Sequence, residues 1–287
     1  KQVLVTGGNR GIGKAICQSL LQKGHRVVFT CRSKSVGDEV AQELKDTTKN
    51  SKVDYLVGDL SSIAATNQLV DVIVDKFPSL NVLIHNAGIW PTEKVMTEDG
   101  LELAFTVNFL AQYIMNQRLY PLLEKNGPSR IVLVTAGLYV FGKADISTTP
   151  YGADFGPMVS YRHTKQCGMI HHLHLARKHG GGEDKKPLVT INTVHPGVIQ
   201  TGLGTPSNGC LACVLRAFKT FWGKPSEGSV APVWLAVSPE AEGIHGRYYH
   251  GLKPDTPIES VSDASVQEEW SLWTEDFLAR KKREAKQ

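Results

Sequence analysis

The chain has 287 residues, 41% of them hydrophobic and 21% charged, and its 32 basic and 28 acidic side chains leave a net charge of +4. That length suits one large α/β domain or two small ones, and we read one, spanning residues 1–287. So mild a charge gives no reason to expect a nucleic-acid partner. The densest basic run, Arg280-Lys-Lys-Arg283, reads as a solvated helix end, with contact to a membrane surface the lesser alternative.

Five cysteines with scattered spacing fit reduced thiols in the cytoplasm better than a disulfide framework. Cys210 and Cys213 form a C-x-x-C with no second pair to complete a zinc site, so no metal is expected there. No apolar run reaches the roughly 18 residues that a spanning helix needs. The expectation is therefore a soluble chain, although any signal or anchor upstream of Lys1 would leave no trace in it.

Short Val/Ile/Leu-rich runs alternate with longer segments of helical period. This pattern predicts a doubly wound parallel sheet of about seven strands with helices on both faces. Strands are expected at 2–6, 26–30, 53–58, 81–84, 130–135 and 188–194, with a last short one at 246–249 closing the edge. Helices are expected near 11–23, 36–46, 62–77, 100–126 and 158–179, and Gly180-Gly-Gly182 reads as the start of an exposed loop.

Between the first strand and helix lies Thr6-Gly-Gly-Asn-Arg-Gly-Ile-Gly13. Closely spaced glycines let backbone N–H groups approach a pyrophosphate at a helix start, where the helix dipole favours an anion. Gly7, Asn9, Arg10, Gly11, Ile12 and Gly13 are thus candidate cofactor contacts, and a plain tight turn is the alternative. The second strand ends in Thr30-Cys-Arg-Ser-Lys34, about 20 residues on, where an acidic residue would grip a ribose 2′-hydroxyl. Arg32 stands there instead, with Ser33 and Lys34 beside it. A cation suits a 2′-phosphate, and Arg10 offers a second one, so NADP(H) is expected over NAD(H).

Tyr161 and Lys165 lie at i and i+4 on one helix face. Such a pair can be a phenolic proton donor activated by an ammonium, or an ordinary cation over a ring. His171 and His174 on the same helix lack partner carboxylates or cysteines. We read them, with His172, as polar helix surface or as a subunit contact in a homodimer. Residues 203–224 carry Leu211, Val214, Leu215, Phe218 and Trp222 on one helical stripe, either packing or a lid over an apolar substrate, with membrane contact a lesser third reading.

Six segments in order resemble the short-chain dehydrogenase/reductase family over nearly the whole length. They are the Gly7/Gly11/Gly13 loop, Asp59-Leu60, Asn86-Ala87-Gly88, Asn108, the Tyr161/Lys165 pair, and Pro196-Gly197 through Ile199 to Thr201. Within that family, Thr30-Cys-Arg32, His195-Pro-Gly197 and the tryptophans at 270 and 273 are most similar to the retinol-dehydrogenase-like branch. The resemblance implies a Rossmann-like fold. It also implies an adenine contact at Asp59 and Leu60, a cofactor-lining turn at 86–88, and further cofactor contacts at Thr135, Tyr161 and Lys165. Pro196, Gly197, Ile199 and Thr201 take the place of its nicotinamide loop. Asn108 takes the place of an asparagine that holds a proton-relaying water.

The resemblance implies an NADPH-dependent oxidoreductase. It would move a hydride between nicotinamide and a carbonyl, enone or imine of a mid-sized apolar substrate, with Tyr161 as proton donor. One position departs: Ala136 stands where the family has a serine that helps hold the substrate oxygen. Loss of one such donor costs on the order of 10²–10³ in turnover. The site could be rebuilt with Thr135 or Tyr139 reaching in, the substrate could need less polarisation, or the residue could be an engineered replacement. The alternative of another class is a catalytically weak NADPH-binding protein with a scaffold role.

Overall fold

The computed structural model describes residues 1–180, 186–197, 199 and 223–285. The first half runs β1 (Gln2–Val5), α1 (Gly11–Gln22), β2 (Arg26–Cys31), α2 (Lys34–Thr48), β3 (Val53–Val57), α3 (Ile63–Lys76) and β4 (Val82–His85). It continues with α4 (Ala111–Lys125), β5 (Ser129–Val134), α5 (Pro157–Lys178), β6 (Val189–His195), α6 (Pro225–Val237), β7 (Tyr248–His250), β8 (Lys253–Asp255) and α7 (Ala264–Glu284). The strands form one sheet in the order β3-β2-β1-β4-β5-β6-β7-β8. Neighbours are parallel except β7 and β8. The chain builds outward from β1 to β3, then crosses to the other side of β1 as β4. The carboxyl ends of β1 and β4 are therefore the switch point at which such a sheet opens a crevice.

Alternation along β1 shows how both faces are filled. Val3 and Val5 point to one side, against Ile16 and Leu20 of α1 and Leu44 of α2. Leu4 points to the other, against Leu69 and Ile73 of α3 and Met115 of α4. With apolar layers on both faces, the central strands have no polar side to show. A third cluster of Phe105, Phe109, Trp270 and Phe277 seats α7 near the site-bearing part of the chain. Side-chain caps fix two helix starts: Ser62 Oγ accepts from Ala65 N at 3.2 Å, and Asp263 Oδ1 accepts from Ser265 N at 2.7 Å.

The doubly wound, Rossmann-like sheet of the sequence reading is present, with eight strands rather than about seven. The extra strand is β8, which turns back antiparallel on β7, with Tyr248 paired to Asp255. Its three residues, Lys253-Pro-Asp255, have no apolar alternation to announce them. The expected helix at 100–126 is instead a turn at Leu103–Phe105, a π-helical turn at Thr106–Leu110, and then α4. Helix α5 places His171, His172 and His174 in the interior, not on a polar surface. Arg280, Lys282 and Arg283 are exposed at the end of α7, as expected of a solvated helix end. Thr201, Cys210, Cys213 and residues 203–222 of the expected lid lie outside the described residues, as do 181–185 of the glycine-rich loop. No helix among the described residues is long and apolar enough to cross a membrane.

Candidate active site

The turn from β1 into α1 is shaped by glycine at two positions. Gly7 has φ of 63°, in the left-handed region that L-residues with a Cβ rarely adopt. At Gly13 a Cβ would lie 2.3 Å from the Gly7 carbonyl oxygen and 2.4 Å from Asn86 Nδ2, so no side chain fits. Asn86, just past β4, braces this turn by donating from Nδ2 to the Thr6 and Gly7 carbonyls at 3.0 and 3.1 Å. Thr6 Oγ1 in turn accepts from the Asn86 and Ala87 amides at 3.0 Å each. Helix α1 starts with no side-chain cap on its amides, which leaves its N-terminus able to receive an anion.

A cavity of about 640 Å³ runs from this turn along the carboxyl edge of the sheet. The residues predicted as cofactor contacts line it together: Gly7, Asn9, Arg10, Gly11, Ile12 and Gly13 at the turn, Arg32 and Ser33 after β2, and Asp59 with Leu60 after β3. Farther along come Asn86, Ala87 and Gly88, then Thr135, Tyr161 and Lys165, then Pro196, Gly197 and Ile199. Arg10 and Arg32 are exposed and form no ion pair among the described residues. Lys34, by contrast, is taken by Asp38 at 2.7 Å. The cavity thus offers glycine backbone, a helix start and two guanidinium groups in one run, a chemistry that fits a phosphorylated dinucleotide.

At the other end of the cavity, α5 buries Tyr161 and Lys165 one turn apart, with Lys165 Nζ 5.7 Å from the centre of the phenol ring. Burial pushes the Tyr161 phenol up to about 12 and draws the Lys165 ammonium down to about 8. Lys165 Nζ lies beside Gly88, where a Cβ would stand 3.1 Å from it. Asn108 sits in the π-helical turn, a local form often found at functional sites. Its Oδ1 accepts from Ile89 N at 2.8 Å, and its Nδ2 donates to Ile89 O at 2.9 Å and Thr164 Oγ1 at 3.0 Å. Those bonds tie the 86–90 loop to α5, so the Asn108 side chain is a brace between the two.

Ala136 follows β5 and lines the cavity beside Thr135, whose Oγ1 is buried without a partner among the described residues. Tyr139 does not reach in: it is buried and packs edge-on against Tyr248 at 5.5 Å. Two further residues join the site. Trp90 stacks on Tyr161 with ring centres 4.5 Å apart and planes 11° from parallel. His195, at the end of β6, lines the cavity, and burial together with nearby His250 draws its imidazole down to about 4. In the sequence His195 marked only the resemblance to the retinol-dehydrogenase-like branch, not a site residue. Nothing flagged Trp90, because its partner lies far along the chain.

The model of the short chain dehydrogenase family matches residues 1–209. The chain is 32% identical to human retinol dehydrogenase 14 over 93% of its own length and 82% of that protein's. It is 28% identical to human retinol dehydrogenase 13, over 96% and 83%. A solved short chain dehydrogenase from Burkholderia cenocepacia, in complex with NADP, superposes with a TM-score of 0.67 at 26% identity, covering 87% of this chain and 95% of that one. The chain belongs to the short chain dehydrogenase family of oxidoreductases, and its relatives include retinol dehydrogenases.

Proposed function

We propose that this protein is an NADPH-dependent oxidoreductase of one domain that reduces a carbonyl, or a conjugated or imine equivalent, on a mid-sized apolar molecule. The observation that carries this reading is the joint burial of Tyr161 and Lys165 in a cavity that also holds the glycine turn and Arg32. The retinol dehydrogenases among its relatives, and the neighbour bound to NADP, support the substrate class and the cofactor.

Bound nicotinamide would supply the hydride. The glycine turn and the α1 N-terminus would hold its pyrophosphate, Arg10 and Arg32 its 2′-phosphate, and Lys165 its ribose hydroxyls. Tyr161, kept as a neutral phenol by burial, is in the right form to give its proton to a nascent alkoxide. Lys165 still carries its charge at neutral pH, and that charge favours the phenolate left behind. Asn108 keeps the loop of residues 86–90 and α5 in register, so that Gly88 and Lys165 face each other.

Arg32→Ala should weaken NADPH binding by roughly 10- to 100-fold, the worth of one or two charge-assisted hydrogen bonds. NADH binding should stay unchanged, since it has no 2′-phosphate. Isothermal titration of both cofactors checks this, and an unchanged preference would overturn the NADPH assignment.

Ala136→Ser tests whether the site lacks a part. The cavity here is bounded by Thr135, Tyr161 and His195, and it is shaped around a methyl group. Turnover on a ketone should remain within about threefold of the parent, against the 10²–10³ that one oxyanion donor returns to a site missing it. A gain of that larger size in steady-state kinetics would mark the parent as an impaired form.

A further inference from the structure

Tyr161 has two neighbours of opposite electrostatic character. Lys165, on its own helix, offers a positive charge 5.7 Å from the ring centre. Trp90 lays an indole almost parallel to the phenol, with ring centres 4.5 Å apart. Both aromatic faces carry negative quadrupole charge, so a phenolate formed against the indole is repelled, while the neutral phenol gains dispersion and excludes water. Trp90 is carried by the 86–90 loop, whose Ile89 is held at both its amide and its carbonyl by Asn108. The stack therefore rests on a braced segment.

We propose that Trp90 is a positioning residue: stacked on Tyr161, it fixes the ring in the cavity and disfavours its phenolate, so that the phenol keeps its proton until Lys165 and a nascent alkoxide together draw it off. This rests on the reading of Tyr161 as the proton donor. The titratable groups lining the cavity around Tyr161 are Lys165 from α5 and His195 from the end of β6, with Asp59 and the two arginines toward the opposite end. Burial is the one cause behind the upward displacement of the phenol, with no carboxylate contributing. The surface that covers the ring is thus what keeps the proton on it.

A spectroscopic titration of the cofactor-free protein tests this without turnover. The tyrosinate absorbance of Tyr161 is read as the difference between each protein and the same protein carrying Tyr161→Phe, over a pH range in which circular dichroism shows the fold intact. Trp90→Ala should lower the ionisation midpoint by about one pH unit, and Trp90→Phe, which keeps a stacked ring, should restore it. Trp90→Leu, which retains more apolar volume, replaces the alanine variant should that one lose its fold. An unmoved midpoint in the folded variant overturns the proposal. So does a fall in Trp90→Phe equal to that in Trp90→Ala, since bulk and not the stacked face would then be acting. If NADPH is oxidised on no ketone, enone or imine, the reductase reading fails while this titration still reports on Trp90.

Discussion

Replacing Tyr161 with phenylalanine should lower substrate-dependent NADPH oxidation by about 10³-fold, within the range that a positioned general acid supplies. NADPH affinity should stay within a few fold, because the phenyl ring can keep both the Trp90 stack and the contact with Lys165. The variant removes one oxygen atom from a buried ring, so the fold survives. Loss of turnover with retained affinity marks an interaction made in the transition state and not in the bound ground state. The check is a screen of apolar ketones, enones and cyclic imines with the parent protein, followed by steady-state kinetics and cofactor titration of Tyr161→Phe. Equal turnover in parent and variant would remove Tyr161 from the chemistry. A parent inactive across all three classes would favour the scaffold alternative.

Acid should unfold this protein well above the pH at which its surface carboxylates titrate. Behind the site, His85 Nε2 bonds Asn116 Oδ1 at 2.8 Å, and Asn116 Nδ2 lies 3.0 and 3.2 Å from Nε2 of His171 and His172. All three imidazoles are buried. Desolvation draws His85 down to about 4, His172 to about 3, and His171 well below its ordinary value. In the unfolded chain each titrates near 6.5, so below that pH the unfolded state binds protons that the folded state refuses.

Stability is therefore full above about pH 6.5 and falls by about 1.4 kcal/mol per pH unit for each histidine as pH drops toward the folded values. Three together remove on the order of 4 kcal/mol by pH 5.5, a large share of the 5–15 kcal/mol that holds a typical domain folded. Urea unfolding between pH 8 and 5 measures the loss, and a flat profile from pH 7.5 to 5.5 would refute it. Asn116→Leu at pH 8 should cost roughly 2–4 kcal/mol, because it strands polar atoms in the interior.

The same histidines mark where the sequence stopped being legible. His171-His-Leu-His174 is polar by composition, and a helix covered on more than one side cannot be told from a surface helix by those letters. Only in the fold is Asn116 of α4 brought to the ring nitrogens. The glycine turn was legible because backbone sterics leave a signature in residue type: Gly7 has a left-handed φ, and a Cβ at Gly13 would collide with the Gly7 carbonyl. Tyr161 and Lys165 were legible as neighbours because residues four apart share one face wherever the segment is helical, as it is here.

What joins distant segments was not legible. The Trp90 stack, the Asn108 brace and the partnerless Thr135 hydroxyl depend on loops meeting across the sheet edge. The π-helical turn at Thr106–Leu110 breaks the helical period around Asn108. Strand β8 exists only because a turn folds a polar tripeptide back onto β7.

In and beside the turn whose Gly13 leaves no room for a side chain stand Arg10 and Arg32, exposed and without an ion pair among the described residues. The backbone that forms the cradle is thereby uncoupled from the side chains that set its charge. Exchange of those two arginines for neutral or acidic residues disturbs no packing, whereas one methyl group added at position 13 would displace the helix itself. Charge at this end of the cavity can therefore drift, or be redesigned, at almost no cost in stability, while the shape of the turn is held fixed from one variant to the next.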